Sequence, residues 1–147
     1  MVITGVAIAF NQPSDVIGGA FREIIAPSAV RRTLEEKRDV LGLAHHDPAQ
    51  VLGRTSSGTL RLRAAPAGLR FALDLPGTSG GRDLVELVGR RDIVGMSFGF
   101  VAREDSWTLN GGIPIRTITD MDLIEISAVG VPCYPTSSVF LSEGVTV

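Results

Sequence analysis

Short apolar segments separated by turn residues dominate this sequence and favour a fold built mainly from β-strands. In Leu69–Leu75, large apolar residues alternate with Arg70, Ala72 and Asp74. Strict alternation places one side of a strand in the core and the other in solvent. Apolar and β-branched runs of this kind predict roughly eight strands among nine candidate segments: Val2–Ala9, Phe21–Ile25, Val40–Leu43, Val51–Thr55, Thr59–Arg63, Leu69–Leu75, Met96–Val101, Ile113–Thr119 and Asp122–Val129.

Turn residues and helical periods complete the predicted fold. The Ser56–Gly58 segment is a hairpin signal between two strands. Apolar residues recur at helical spacing after Ser28, which predicts a short amphipathic helix with Ser28 as its N-cap. Thr78 or Ser79 is predicted to cap a second helix that runs to about Arg91. The sequence therefore predicts a mainly β (α+β) domain, with the strands in a barrel or a packed pair of sheets and the helices outside.

Length and charge favour one domain over residues 1–147 that does not bind nucleic acid. The chain has 147 residues, 44% of them hydrophobic, which is enough for one sizeable core. No repeat or long linker divides it. Its 14 basic residues are offset by 16 acidic ones, and a protein that neutralises phosphates needs an excess of positive charge.

The apolar runs and the cysteine content predict an intracellular protein without a membrane span or a cofactor. The longest runs, such as Val2–Ala9, fall short of the roughly 20 residues of a spanning helix, and no signal peptide is apparent. One cysteine, Cys133, excludes internal disulfides and multi-cysteine zinc sites. Cys133 is interpreted as a buried structural thiol. The loop Gly77–Arg82 could cradle an anion, but a turn with an N-cap is the favoured interpretation.

Ser97 is the candidate nucleophile. In a strand it shares one side with Gly95 and Gly99, while Met96 and Phe98 point to the other side. The large residues would anchor the strand in the core. The glycines are interpreted as open space through which a peptide could approach the hydroxyl. The alternative is a small polar residue with no chemical role.

The two histidines of the chain are adjacent, at His45 and His46, and precede Asp47. Neighbours in an extended segment point to opposite sides, so one of them is expected to face Ser97, where an imidazole could act as general base. The alternative is a polar turn in which Asp47 bonds to the following backbone. A metal site is disfavoured, because two adjacent histidines cannot easily bind one ion.

Glu125 lies in an otherwise apolar strand, Leu123–Ser127. A buried carboxylate costs several kcal/mol unless it is paired. A histidine ring N–H is one partner that would offset this cost and orient the imidazole. An arginine partner or a solvent-facing position is the alternative.

Taken together, these segments resemble the prohead (procapsid maturation) serine protease family of tailed phages. The resemblance covers nearly the whole chain in the family's order, and its matching segments are Gly5–Asn11, His46-Asp47, Leu52–Leu62, Leu75–Leu84, Asp92–Phe100 and Leu123–Pro135. It implies a β-barrel of about seven to eight strands related to the herpesvirus assemblin proteases. It also implies a serine endopeptidase that cleaves scaffold, major capsid protein and itself.

The resemblance assigns the family's histidine to His46 and its serine to Ser97. The family usually has Asn-His-Asp where this chain has His45-His46-Asp47. Glu125, in the family's Leu-x-Glu-x-Ser pattern, is the candidate acid that completes a catalytic triad with Ser97 and His46. Asp122 is the second choice for this acid. A loop carrying Arg54 or Arg116 is the candidate for the oxyanion site.

The resemblance further implies a homo-oligomer acting in the host cytoplasm, inside the assembling procapsid. Two other functions remain open. The chain could be a non-catalytic capsid-assembly β-barrel module, in which the serine and histidine are structural. It could also be a metal-dependent hydrolase.

Overall fold

A computed structural model describes residues 1–109 and 111–143 of the chain. Within these ranges, nine strands and two short helices confirm the mainly β (α+β) class. In chain order they are β1 (Val2–Ala9), β2 (Arg22–Ile25), α1 (Arg31–Glu35), β3 (Leu41–Ala44), β4 (Val51–Arg54), β5 (Leu60–Ala65), β6 (Gly68–Asp74), α2 (Ser79–Gly89), β7 (Gly95–Thr108), β8 (Ile115–Val129) and β9 (Ser138–Ser142).

The strands form two open sheets. The first is antiparallel, in the order β5-β6-β1-β9. In the second, the long strand β8 pairs along one edge with antiparallel β7, and its other edge is shared by the parallel strands β2 and β3. Strand β4 pairs with the free edge of β3. The ladders among the described residues do not close either sheet, so the predicted barrel is not confirmed.

Both sheets contribute to a single buried core. Phe71 of the first sheet and Met96, Met121 and Ile126 of the second are each at most 1% exposed and belong to one contiguous apolar cluster. Burying an aliphatic or aromatic side chain of this size contributes about 1.5–3 kcal/mol. The second sheet is thereby packed against the first. Strands β7 and β8 carry Ser97 and Glu125 on the side of the second sheet that faces away from this core.

The turn at Ser56–Gly58 does not form the predicted hairpin. Strand β4, before it, pairs with β3 in the second sheet, whereas β5, after it, pairs with β6 in the first. The hydroxyl of Thr59 accepts a hydrogen bond from the backbone N–H of Arg54 at 2.9 Å and stabilises this crossing. A local turn signal identifies where the chain bends, but not which partner each strand finds.

The two helices differ in how well local signals predict their caps. Thr78 caps α2 as expected, and its hydroxyl accepts a hydrogen bond from the N–H of Gly81 at 3.2 Å. Ser28 is not the N-cap of α1, because it lies within a turn of 3-10 helix, Pro27–Val30, and its hydroxyl donates to the carbonyl of Thr119. A tertiary partner has replaced the local one.

Strands β7 and β8 are longer than the sequence predicts, and β9 is an additional strand. Strand β8 runs without a break through Asp120 and Met121, which lie between two strands predicted separately, and the Asp120 carboxylate is paired with Arg32 instead of marking a loop. Strand β9 pairs with β1 and is absent from the sequence prediction, although its residue Val139 is fully buried.

Candidate active site

Ser97 lies in β7 directly opposite Ser127 of β8. Its neighbours Met96 and Phe98 are 1% and 8% exposed and point into the core, as the alternation predicts. The hydroxyl of Ser97 makes no hydrogen bond to any residue that the structure describes. Since no buried polar side-chain atom in that part of the chain lacks a partner, this hydroxyl is in contact with solvent.

The glycines that flank Ser97 do not leave open space, so that interpretation is wrong. A Cβ atom on Gly99 would lie 2.8 Å from Oε1 of Glu125, and one on Gly95 would lie 2.6 Å from Cγ of Pro132. Both distances are shorter than real Cβ contacts. The space beside these glycines is therefore already occupied, by Glu125 at Gly99 and by Pro132 at Gly95.

The two histidines occupy the corner of a tight turn, not an extended segment. Both have positive φ, +54° for His45 and +58° for His46, and the N–H of Asp47 donates to the carbonyl of Ala44 at 3.0 Å. This is the backbone of a type I′ turn. Asp47 also accepts a hydrogen bond from the N–H of Ala49, as the polar-turn interpretation predicts.

The turn places the two imidazoles in different surroundings. The ring of His46 contacts Glu125 through Nδ1 and Oε1. The side chain of His45 is exposed and makes no hydrogen bond within residues 1–109 and 111–143. Of the two histidines, His46 is thus the one that the fold brings to the acid, with 44% of its side chain exposed.

Glu125 is buried, at 8% exposure, and both of its carboxylate oxygens are engaged. Oε1 contacts the His46 ring, and Oε2 accepts a hydrogen bond from the Ser127 hydroxyl at 2.6 Å. The N–H of His46 in turn donates to the Ser127 oxygen at 3.0 Å. The cost of burying this carboxylate is offset by partners on both sides.

A β-bulge in β8 sets the direction of Glu125. Gly99 pairs with Glu125, but the next residue, Phe100, pairs with Leu123, so Ile124 has no partner opposite it. Ile124 is accordingly 47% exposed. The extra residue shifts the alternation by one, which lets Leu123 point into the core while Glu125 lies on the same side of the sheet as Ser97. Sequence alternation alone gives no indication of this shift.

Asp122, the second choice for the acid, does not contact His46. Its carboxylate forms ion pairs with Arg32, Arg38 and Arg103. The Arg103 hydrogen bond is the main cause that lowers the pKa of this carboxyl below its usual range. These contacts identify Asp122 as an acid that joins α1 to the second sheet.

The two arginines considered for the oxyanion site are both held in ion pairs. Arg116 lies at the opposite end of β8 and binds Asp105 and Glu23. Arg54 binds Asp39, but it lies in the same row of residues across the sheet as Glu125, with one strand between them. Arg116 therefore lies away from Ser97, and Arg54 lies two strands away from Glu125.

Other sequence features have structural explanations. Cys133 is half-buried, and burial raises the pKa of its thiol, which disfavours a thiolate nucleophile. In the described part of the chain, no three His, Cys, Asp or Glu side chains cluster in a way that could hold a metal ion. None of the helices there has the length and hydrophobicity to cross a bilayer.

Comparison with known proteins identifies one family. The sequence model of the caudovirus prohead serine proteases matches residues 1–145, which is nearly the whole chain. No curated protein matches it.

Proposed function

Since the chain belongs to the caudovirus prohead serine protease family, we propose that it cleaves the scaffold, the major capsid protein and itself within the assembling procapsid. In this proposal residues 1–147 form one catalytic domain that acts as a homo-oligomer in the host cytoplasm. Its two sheets would correspond to the barrel of the herpesvirus assemblin proteases.

The observation that carries the proposal is the contact between His46 and Glu125 on the side of the sheet that holds Ser97. Nδ1 of His46 faces the carboxylate, so a proton on Nδ1 leaves Nε2 without one and able to act as a base. Ser97 lies across the ladder from Ser127, which itself contacts both His46 and Glu125. Directly opposite side chains in an antiparallel pair are roughly 4.5–5.5 Å apart at Cβ.

These three residues support an acyl-enzyme mechanism. Nε2 of His46 takes the proton of the Ser97 hydroxyl while the oxygen bonds to the peptide carbonyl carbon. His46 then gives this proton to the leaving amine as the C–N bond breaks. A water molecule, deprotonated by His46, attacks the ester, and Ser97 regains its proton when the acid product leaves. Glu125 keeps the proton of Nδ1 in place and stabilises the imidazolium.

A fluorophosphonate probe tests this assignment without knowledge of the cleavage site. The probe should form an adduct on Ser97, and Ser97→Ala or His46→Ala should lower labelling and turnover by roughly 10⁴–10⁶-fold. Ser106→Ala, on an exposed part of the same strand, is the matched control and should react as wild type does. A folded, assembled protein that is not labelled would support the capsid-assembly module instead.

Two further measurements separate the proposal from its alternatives. Proteolysis that survives strong chelation would argue against a metal-dependent hydrolase. Mass spectrometry of the protein co-expressed with its scaffold should show fragments that are absent with Ser97→Ala. The same fragments with both proteins would contradict the proposed protease.

A further inference from the structure

We propose that Ser127 is a positioning residue that fixes both the backbone and the ring of His46 through one hydroxyl group. This inference rests on the proposed role of His46 as general base. Ser127 is fully buried, at 0% exposure, and it lies opposite Ser97 on one side of β8 and opposite Leu43, three residues before His46, on the other.

The contacts of Ser127 form a closed ring of hydrogen bonds. Its oxygen accepts the backbone N–H of His46 at 3.0 Å and its hydroxyl lies 2.6 Å from Oε2 of Glu125. The other carboxylate oxygen meets Nδ1 of His46. One histidine is therefore held at two points, its main chain by the serine and its ring by the glutamate.

The position of each proton in this ring follows from which groups can only donate. The His46 backbone N–H must donate, so the Ser127 oxygen accepts there. A fully buried hydroxyl needs an acceptor for its own proton, and Glu125 supplies it through Oε2. With both Glu125 oxygens acting as acceptors, the shared proton lies on Nδ1 of His46, which leaves Nε2 without a proton and able to act as the base.

The backbone contact matters because His46 sits in a strained turn. A non-glycine residue at φ of +58° persists only where surrounding contacts hold it. The hydrogen bond from its N–H to Ser127 is one such contact, and it ties the turn to the centre of the second sheet. Loss of the hydroxyl removes this contact and one carboxylate partner together.

The test compares Ser127→Ala with Ser127→Thr and with a matched control, Ser14→Ala. Ser14 is another buried serine, at 1% exposure, whose hydroxyl also accepts a backbone N–H (that of Glu23) and donates to an oxygen. We expect Ser127→Ala to lower the maximal rate of fluorophosphonate labelling at saturating probe by about 10- to 100-fold, because the buried Glu125 carboxylate and the His46 backbone N–H each lose a partner. Ser127→Thr, which keeps the hydroxyl, should restore the rate, and Ser14→Ala should leave it unchanged.

A second measurement follows the hydrogen bond between the His46 imidazole and Glu125. A proton shared between Nδ1 and a buried carboxylate gives a far-downfield proton NMR signal, which His46→Ala should remove and Ser127→Ala should weaken or shift. Ser127→Cys keeps the volume of the side chain but has a weaker donor. It should show the same losses as alanine, and it replaces the alanine variant if that variant does not fold.

The outcomes separate this inference from the proposed function. Ser127→Ala with wild-type labelling and an unchanged NMR signal would overturn the positioning role. An equal loss of labelling in Ser14→Ala would also overturn it, because the effect would then be one of general stability. Wild-type labelling of Ser97→Ala would instead refute the proposed protease. The NMR measurement would still report whether Ser127 positions the His46 imidazole.

Discussion

The carboxylate of Glu125 lies over Gly99, so that a Cβ atom at position 99 would come within 2.8 Å of Oε1 and 3.2 Å of Cγ. The two residues are partners in the β7–β8 ladder. The space that glycine leaves beside the candidate nucleophile is filled by the acid that contacts His46. The glycine therefore acts on the site through Glu125 and not by admitting substrate.

Gly99→Ala should preserve the fold and impair the site. The end of the Glu125 side chain can move away from a new methyl group, but the move takes Oε1 from His46, and a displacement of about 1 Å can lower turnover by about 100-fold. Labelling kinetics and thermal unfolding measure the two effects separately. Gly77→Ala is the control, since nothing lies within 4 Å of its added Cβ. Wild-type labelling of Gly99→Ala would contradict the steric argument.

His45→Asn and His46→Asn form a matched pair that identifies the base. Asparagine adopts positive φ more readily than most residues, so both variants should keep the turn. We expect His45→Asn to label and cleave as wild type does, and His46→Asn to lose activity by roughly 10⁴-fold or more. Loss of activity in His45→Asn with full activity in His46→Asn would exchange the two assignments.

Glu125→Gln should lower activity far more than Asp122→Asn. An amide at position 125 cannot accept hydrogen bonds on both sides, so the His46 tautomer is no longer fixed. In the Ser-His-Asp triad, the corresponding change of acid to amide lowers kcat by about 10⁴-fold, and we expect a loss of roughly 10²–10⁴-fold here. Within the described residues, the Asp122 carboxylate forms ion pairs with arginines and none with His46, so its variant should retain activity when folded. Equal losses in both variants would mean that the acid has been misassigned.

Asp122 should instead govern stability at low pH. Its contact with Arg103, and those with Arg32 and Arg38, lower the pKa of the carboxyl in the folded protein below its ordinary value of 3.8. The folded state then binds a proton more weakly than the unfolded state. The resulting stability is fully present above the ordinary value and is lost as the pH falls through the folded pKa.

Urea unfolding of wild type and Asp122→Asn across this range measures the effect. We expect the difference in free energy of unfolding between them to be constant at neutral pH and to shrink as the carboxyl becomes protonated. A difference that does not depend on pH would show that ionisation of Asp122 does not stabilise the fold.

Local patterns predict the parts of this fold whose causes are local. Strand β1 has the predicted bounds, Val2–Ala9, and Thr78 caps α2 as expected, because alternation and capping depend on neighbours in sequence. The β4–β5 hairpin is wrong because the choice of sheet depends on distant strands. Strand β8 appears broken in the sequence because Asp120 resembles a loop residue until its partner, Arg32, is known.

The site shows the same division. Residue type and apolar context direct attention to Ser97 and Glu125, since a polar residue in an apolar strand needs an explanation. The turn that presents His46 and the bulge at Ile124 cannot be inferred from alternation, because each breaks it. Ser127 could have been noticed, as a serine two residues from Glu125 in a strand must lie on the same side as the acid.

The long separation between paired strands has a consequence for when such a centre can work. His46 and Glu125 are 79 positions apart in sequence, and β8 supplies the acid while also supporting the strands that carry the serine and the histidine. A nascent chain whose β8 is still within the ribosome has no assembled centre at all. Pairings over such separations form slowly, so the contact between His46 and Glu125 is completed only late in folding, after β3 and β8 have paired.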